Sequence, residues 1–297
     1  MQSDQPSTNP ERRGLKKGLF LIPSVFTAAN IGMGFYAVMA AVRGFQFIGG
    51  SEQDLIHAST YLDNAAKAIG WAVLFDMLDG RIARMTKTTT EIGVQLDSIA
   101  DVVTFGLAPA VLAYVWGFGA SLKEGSDLHQ LAWFLSFMYL MCGGFRLARF
   151  NVQASRPRIL AEGTIKVDKK SFVGLPIPVA GGLIAAIIHF KPLPLLYYGP
   201  ERAKIYAVLL MALVGSLSLL MVSTLRFSSF KTVGTRSRSM RTIIFAVGVG
   251  MLIFLYSRQV LLLIVTAYIL HGLLSRVIAV FRKRPELSET KIEAEQM

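Results

Sequence analysis

The sequence predicts an all-α, polytopic membrane protein with about eight transmembrane helices. Of its 297 residues, 53% are hydrophobic and only 17% are charged, whereas soluble domains carry roughly 25% charged residues. The charges form short clusters between long apolar runs, and a helix needs about 20 mostly apolar residues to cross a bilayer. This composition argues against an ordinary soluble domain and excludes a disordered chain.

Eight segments have the required length and hydropathy. The first is too long for a removable signal peptide and lacks a small-residue cleavage site after it, so we expect it to be retained. The eight spans are 19–42, 63–84, 92–118, 129–151, 173–190, 204–225, 241–257 and 259–281. We therefore expect a single transmembrane domain at 19–284, between a cytoplasmic N-terminal segment at 1–18 and a cytoplasmic C-terminal tail at 285–297.

The basic residues favour one orientation. With the N terminus in the cytoplasm, 24 of the 31 lysines and arginines lie on the cytoplasmic side, as the positive-inside rule requires. This bias accounts for much of the net charge of +12, so no nucleic-acid partner is expected. The lone Cys142 and four scattered histidines also exclude an intramolecular disulfide and disfavour a thiolate or zinc site.

Four aspartates interrupt the second and third spans. Asp76 and Asp79 are three residues apart, and Asp97 and Asp101 are four apart, so each pair lies on one helix face. An aspartate at the centre of a membrane helix costs about 2.5–3.5 kcal/mol, so four of them require compensation. Two divalent cations would balance the charge, and an all-oxygen ligand set suits Mg²⁺ or Mn²⁺.

The two pairs are predicted to meet near the cytoplasmic side. At 1.5 Å per residue, Asp76 lies about 12 Å inward from Arg84, and Asp101 about 15 Å inward from Glu91. Small residues, Gly80, Ala83 and Gly93, lie one turn from the aspartates. They leave room for a ligand, although close helix packing explains them equally well. Arg84, at the mouth, is a candidate phosphate contact.

The stretch DMLDGRIARMTKTTTEIGVQLDSIAD fits the pattern D-x2-D-G-x2-A-R-x8-G-x3-D-x3-D without a departure. It resembles the signature of the CDP-alcohol phosphotransferases, membrane enzymes that join a CDP-activated lipid or alcohol to a second alcohol and release CMP. The resemblance implies a six-helix catalytic core and two metal ions, Mg or Mn, at the four aspartates. It also implies nucleotide binding by Asp76, Gly80, Ala83, Arg84 and Gly93.

Further segments narrow the resemblance. Four segments are similar to membrane-integral phosphatidylserine synthases: SIADVVTFGLAPA, CGGFRLARFN, FVGLPIPVAGG and LMVSTLRFSSFK. In the first helix, Ser24 stands where relatives often have asparagine. This resemblance implies transfer of the phosphatidyl group from CDP-diacylglycerol to L-serine, with Asp101 as the general base. It also implies a location in the bacterial inner membrane, contact with membrane lipids and a homodimer. Small residues such as Gly32 and Gly34 could permit dimerisation, but the sequence assigns no interface.

Three basic residues are candidates for binding the acceptor or a phosphate: Arg146, Arg149 and Lys231. An arginine pair suits a carboxylate or phosphate group. Alternatively, the two arginines anchor their helix at the membrane interface, and Lys231 is one of the basic residues that the positive-inside rule places in cytoplasmic loops. Asn30 is a further polar candidate, for which a buried interhelical hydrogen bond is an alternative.

Two other functions stay open. A sister enzyme would use glycerol 3-phosphate or an inositol phosphate as acceptor, since the shared signature does not identify the acceptor. A cation or proton transporter would also place carboxylates in the membrane. A transporter usually has broken or repeated helices around a site at the midplane, whereas these aspartates occur in one hairpin without an evident repeat.

Overall fold

The computed structural model describes residues 10–86, 91–155, 171–228 and 240–281. Its helices are α1 (Pro10–Phe45), α2 (Glu52–Thr86), α3 (Glu91–Asp101), α4 (Ala108–Ala113), α5 (Asp127–Ser155), α6 (Ile177–Phe190), α7 (Pro200–Val222) and α8 (Met240–Phe281). The predicted C-terminal tail and Lys231 lie outside the described residues. Helix α1 begins well before residue 19, so the predicted N-terminal segment is partly helical.

The prediction of an all-α, polytopic membrane protein is confirmed. Among the described residues, five helical segments are long and apolar enough to cross a bilayer: Val25–Phe45, Ile92–Phe118, Asp127–Val152, Pro200–Val222 and Leu255–Ser275. Helix α2 is not among the five because charged side chains interrupt its apolar sequence, and α6 is a shorter apolar helix. The total of eight spans stays a prediction.

The third predicted span is continuous but changes its helical geometry twice. One π-helical segment, Val102–Leu107, follows α3 directly, and a second, Tyr114–Phe118, follows α4. A π turn holds more residues than an α turn and therefore changes the direction of the side chains beyond it. The first π segment begins immediately after Asp101, one of the predicted site residues.

A short β-ribbon lies where the sequence predicts the start of the fifth span. Strands β1 (Ser171–Val173) and β2 (Arg226–Ser228) pair antiparallel, with Phe172 opposite Phe227. Helix α6 begins after Pro176 rather than at residue 173. Between β1 and α6, Gly174 adopts a φ of 81°, and its N–H donates to the Leu225 carbonyl at 2.7 Å. A side chain is disfavoured there because of the positive φ.

Helix α8 contains the last two predicted spans. Its helical course is interrupted at Tyr256, where φ is −131° and ψ is 44°, close to the predicted boundary between residues 257 and 259. The described core lies mainly between α1, α2, the third span and α6, and includes many buried alanines. Alanine allows helix axes to approach closely, which brings α1 against both α2 and α3 at the predicted site.

Candidate active site

Three of the four predicted carboxylates form one cluster. Asp76 on α2 and Asp97 and Asp101 on α3 each present an oxygen, and these oxygens all lie within 4.8 Å of one another. Three carboxylates this close repel one another unless cations or protons offset their charge. Asp101 is only 9% exposed, and its Oδ1 accepts no hydrogen bond from the described residues. This buried acceptor and the all-oxygen donor set fit a hard divalent cation.

Asp79 lies next to this cluster but outside the group of three. Its carboxylate interacts electrostatically with Asp97, and Thr27 on α1 donates a hydrogen bond to its Oδ2. Its Oδ1 is buried and has no hydrogen-bond partner among the described residues. A site with four ligands therefore stays a prediction. Thr27 was missed by sequence reasoning, although its position three residues before Asn30 in an apolar span was a signal.

Arg146 brings a buried positive charge to the carboxylates. It lies on α5, is 8% exposed and interacts electrostatically with Asp101. Its Nε is buried without a hydrogen-bond partner among the described residues. A buried, incompletely satisfied guanidinium next to carboxylates is suited to an anionic group of a ligand. The binding of an acceptor by Arg146 stays a prediction.

Arg149, one turn further along α5, has a different environment. Its Nη1 donates to the Val222 carbonyl at 3.0 Å and its Nη2 to the Ser223 carbonyl at 3.4 Å. These contacts satisfy carbonyl groups at the end of α7, where the helix itself supplies no partners. Arg149 thus joins α5 to α7, and its predicted role in binding a phosphate or the acceptor stays a prediction.

Asn151 also fastens the inner end of α5. Its Nδ2 donates to Ser98 Oγ at 2.8 Å, and Ser98 lies on α3 immediately after Asp97. This hydrogen bond fixes the helix that carries Arg146 against the helix that carries two carboxylates. The sequence match around residue 146 included Asn151, but sequence reasoning gave it no role.

The predicted nucleotide-binding residues are only partly described. Gly80 is partly buried on α2, and Gly93 is exposed on α3. The side chains of Ala83 and Arg84 lie outside the described part of the protein. The nucleotide-binding set of Asp76, Gly80, Ala83, Arg84 and Gly93 therefore stays a prediction.

Asn30 lies beside the site at the contact between α1 and the first π segment. It is 1% exposed, and among the described residues its side-chain amide has no hydrogen-bond partner. Its backbone carbonyl accepts a hydrogen bond from Thr104 Oγ1 at 3.0 Å. The backbone of Asn30 thus accepts an interhelical hydrogen bond, whereas the polar contact considered for its side chain stays a prediction.

Comparisons with known proteins show which family and which proteins this chain is similar to. Residues 20–196 match the model of a family described as CDP-alcohol phosphatidyltransferase. The chain is 30% identical over 221 residues to CDP-diacylglycerol–serine O-phosphatidyltransferase of Helicobacter pylori, covering 72% of this chain and 75% of the relative. It is 32% identical over 178 residues to the Bacillus subtilis protein of the same name, covering 59% and 82%. An archaetidylserine synthase of Methanothermobacter thermautotrophicus is 29% identical over 167 residues, covering 56% of each chain.

Proposed function

Since this chain belongs to the CDP-alcohol phosphatidyltransferase family, we propose that it transfers the phosphatidyl group of CDP-diacylglycerol to the hydroxyl of L-serine. The products are phosphatidylserine and CMP. The observation that carries this proposal is the cluster of Asp76, Asp97 and Asp101 beside the buried Arg146. The choice of serine is supported by the names of the relatives.

Asp76, Asp79, Asp97 and Asp101 would hold two divalent cations, Mg²⁺ or Mn²⁺. When bound, such cations neutralise the charge of the pyrophosphate and stabilise the departing CMP. The carboxylates of α2 and α3 would fix the positions of these charges, since both helices are packed against α1. Gly80, Ala83, Arg84 and Gly93 would line the nucleotide side of the same site.

Asp101 would act as the general base. A serine hydroxyl has a pKa far above neutral, so its proton must be removed as the oxygen attacks phosphorus. In the proposed step the serine oxygen forms a bond to the phosphorus next to the diacylglycerol, and its proton passes to a carboxylate oxygen of Asp101. The bond from that phosphorus to the CMP oxygen breaks, and CMP leaves with the bonding electrons.

Arg146 would bind and orient the acceptor. Free serine carries a carboxylate, which a guanidinium can bind through two parallel hydrogen bonds. The charge interaction between Arg146 and Asp101 supports this role, because the acceptor must present its hydroxyl to Asp101 while its carboxylate is held. This orientation would lower the entropic cost of the attack.

The reaction would take place near the cytoplasmic side of the bacterial inner membrane, with both termini in the cytoplasm. Diacylglycerol must stay in the lipid while the nucleotide and serine come from water. Asp76 lies about 15 Å along α2 from the end of that helix at Thr86, which supports a site within reach of both phases. A homodimer in contact with membrane lipids is also part of the proposal.

The acceptor can be tested with the purified protein in detergent. CMP release from CDP-diacylglycerol and Mg²⁺ would be measured with L-serine, with glycerol 3-phosphate, with inositol phosphate or without acceptor. We expect release only with serine, and its loss in Asp101→Asn. Asp127→Asn, at an exposed aspartate in the first turn of α5, is the matched control and should retain activity.

Other outcomes would change the proposal in defined ways. Release only with glycerol 3-phosphate or inositol phosphate would overturn serine as the acceptor while keeping the carboxylate site. Full activity of Asp101→Asn would overturn its role as base. If the folded protein releases no CMP with any acceptor, ion flux in liposomes would distinguish a transporter from an inactive relative.

A further inference from the structure

A cavity of about 430 Å³ lies at the end of the membrane domain that is remote from the carboxylates. It is lined by Trp116, near the end of the third span. Trp116 follows Asp101 by 15 residues, which corresponds to about 22 Å along a helix. The volume falls within the range of ligand pockets, about 300–1,000 Å³. The cavity is therefore large enough for part of a ligand and is separate from the proposed active site.

The walls of the cavity are mainly apolar, and hydrogen bonds hold one side of it together. Ile187 on α6 and Leu213 on α7 contribute aliphatic side chains. Trp116 joins the third span to the segment after α6, because its Nε1 donates to the carbonyls of Lys191 at 3.1 Å and Leu193 at 2.9 Å. A lining of this kind is suited to a hydrocarbon chain.

The cavity opens at the outer surface of the helices, where apolar side chains face lipid. Leu209 at its edge is 61% exposed and Phe190 is 36% exposed. Tyr198 and Tyr206 also line it, with their rings in edge-to-face contact at 5.9 Å. Tyrosine is enriched where the hydrocarbon of a membrane meets the headgroups. A ligand entering from the membrane would thus place an apolar part inside the cavity and a polar part at this boundary.

Two basic side chains lie at the polar end of the cavity. Lys191 lines the cavity and is exposed. Arg202, also exposed, precedes Tyr206 by four residues on α7, so it lies one turn nearer the start of the helix on the same face. Neither forms an ion pair with the residues that the structure describes. Glu201, five residues before Tyr206, lies on a different face of α7, so the boundary of the cavity is suited to a phosphate group.

We propose that this cavity binds one anionic glycerophospholipid, with an acyl chain against α6 and α7 and the phosphate next to Lys191 and Arg202. A free phosphate would not use the apolar walls, and a lipid without net charge would gain less from the two basic side chains. The combination therefore favours an anionic lipid. The inference goes beyond the proposed function, because this lipid is bound at the opposite end of the third span from the carboxylates and does not react.

Quenching of Trp116 fluorescence by lipids with brominated acyl chains tests the site in the full-length protein in detergent. The other two tryptophans, Trp71 and Trp133, are exposed and would be replaced by phenylalanine. Bromine quenches indole fluorescence only at close range, so quenching reports an acyl chain in the cavity. We expect saturable quenching by brominated phosphatidylglycerol. Its half-saturating concentration should be about tenfold lower than that of brominated phosphatidylcholine, which has the same chains but no net charge.

Lys191→Gln and Arg202→Gln test the recognition of the headgroup. Each should raise the half-saturating concentration of brominated phosphatidylglycerol about fivefold, as expected when one basic residue near an anionic lipid is lost. The value for brominated phosphatidylcholine should change less than twofold. Lys123→Gln, at an exposed lysine in the loop before α5, is the matched control and should change neither value.

Leu213→Phe tests the cavity itself, because the larger ring would occupy the space proposed for the acyl chain. It should greatly reduce quenching by both brominated lipids. Leu219→Phe, at a position on α7 that is 68% exposed, is the control and should leave quenching unchanged. A melting temperature measured for each variant shows that the comparison is made between folded proteins.

Three outcomes would overturn the inference. Equal quenching by the two brominated lipids, or the same preference in Lys191→Gln and Arg202→Gln as in Lys123→Gln, would contradict an anionic lipid as the occupant. Undiminished quenching in folded Leu213→Phe would contradict the cavity as its site. None of these measurements involves CMP release, so failure of the proposed function would be recognised separately.

Discussion

Thr27 and Asp79 illustrate how single residues near the carboxylates depend on other helices. Thr27 donates to a carboxylate that is itself buried, and an unsatisfied buried acceptor costs about 1–3 kcal/mol. Thr27→Val should therefore lower both the melting temperature and CMP release, whereas Thr27→Ser keeps the hydroxyl and should retain most of both. Thermal unfolding in detergent and the CMP assay measure these effects.

A control for this substitution exists on α2. Thr60 Oγ1 donates only to the Ile56 carbonyl one turn earlier, in an exposed setting. Thr60→Val should consequently be nearly neutral. Equal stability of the Thr27→Val and Thr60→Val variants would argue against a stabilising hydrogen bond between α1 and Asp79.

Gly34 provides a second residue-scale prediction. A Cβ at Gly34 would lie 2.5 Å from Thr104 Oγ1 and 2.8 Å from the Thr104 Cα, whereas a Cβ at Gly32 meets no atom within 4 Å. Gly34→Ala should destabilise the protein by about 1–3 kcal/mol through overpacking, and Gly32→Ala should be tolerated. A pair of melting curves decides this, and equal curves would contradict the close approach of α1 to the first π segment.

The carboxylates were predictable from sequence, but their neighbours were not. Helical spacing alone placed Asp97 and Asp101 on one face, and the cost of charge in a membrane marked them as functional. Thr27 reaches Asp79 through a contact between distant parts of the chain, which spacing within one helix does not reveal. Gly34, one of the small residues that could permit dimerisation, packs closely against Thr104 within the chain, and dimerisation stays a prediction.

At the scale of helices, Arg146 and Arg149 differ although they are one turn apart on α5. Arg149→Ala should remove the contacts to the end of α7 and lower stability by about 1–2 kcal/mol, with KM for serine nearly unchanged. Arg146→Ala should raise KM for serine about 30-fold or more, because the serine carboxylate would lose the buried guanidinium that is proposed to bind it. Melting temperatures and serine kinetics for both variants provide the measurement.

The reverse pattern would reassign the two arginines. A large rise in KM for serine in Arg149→Ala, with unchanged stability, would place the acceptor at Arg149 and contradict its assignment to the end of α7. Arg149→Lys serves as the conservative control, because lysine keeps the charge but lacks the planar fork that contacts two carbonyls.

Helix positions were predicted well, whereas irregular elements were not. Hydropathy located every long helix in the described residues because burial in lipid imposes a length of about 20 apolar residues. The π segment at Val102–Leu107 leaves no mark in hydropathy, since it lies inside a continuous apolar run. The three-residue strand Ser171–Val173 depends on a partner more than 50 residues later in the chain and is too short for an alternating pattern.

For the whole molecule, the positive-inside bias predicts which loops face the cytoplasm. In a Cys142→Ala background, Glu124→Cys in the loop before α5 should react with a membrane-impermeant maleimide from the periplasmic side. Ser155→Cys at the opposite end of α5 should react only after the inner membrane is opened. Labelling of spheroplasts before and after lysis measures both, and the opposite pattern would invert the orientation.

The carboxylate cluster of Asp76, Asp97 and Asp101 is proposed to hold the divalent cation used for transfer to serine. The most direct measurement is serine-dependent CMP release as a function of Mg²⁺ concentration for the wild type, Asp97→Asn and Asp127→Asn. The wild type and Asp127→Asn should show the same saturable requirement for Mg²⁺. Asp97→Asn should require far more Mg²⁺ or stay inactive. Release that needs no divalent cation, or the same Mg²⁺ dependence in folded Asp97→Asn as in the control, would contradict the proposed binding of the cation by the carboxylate cluster.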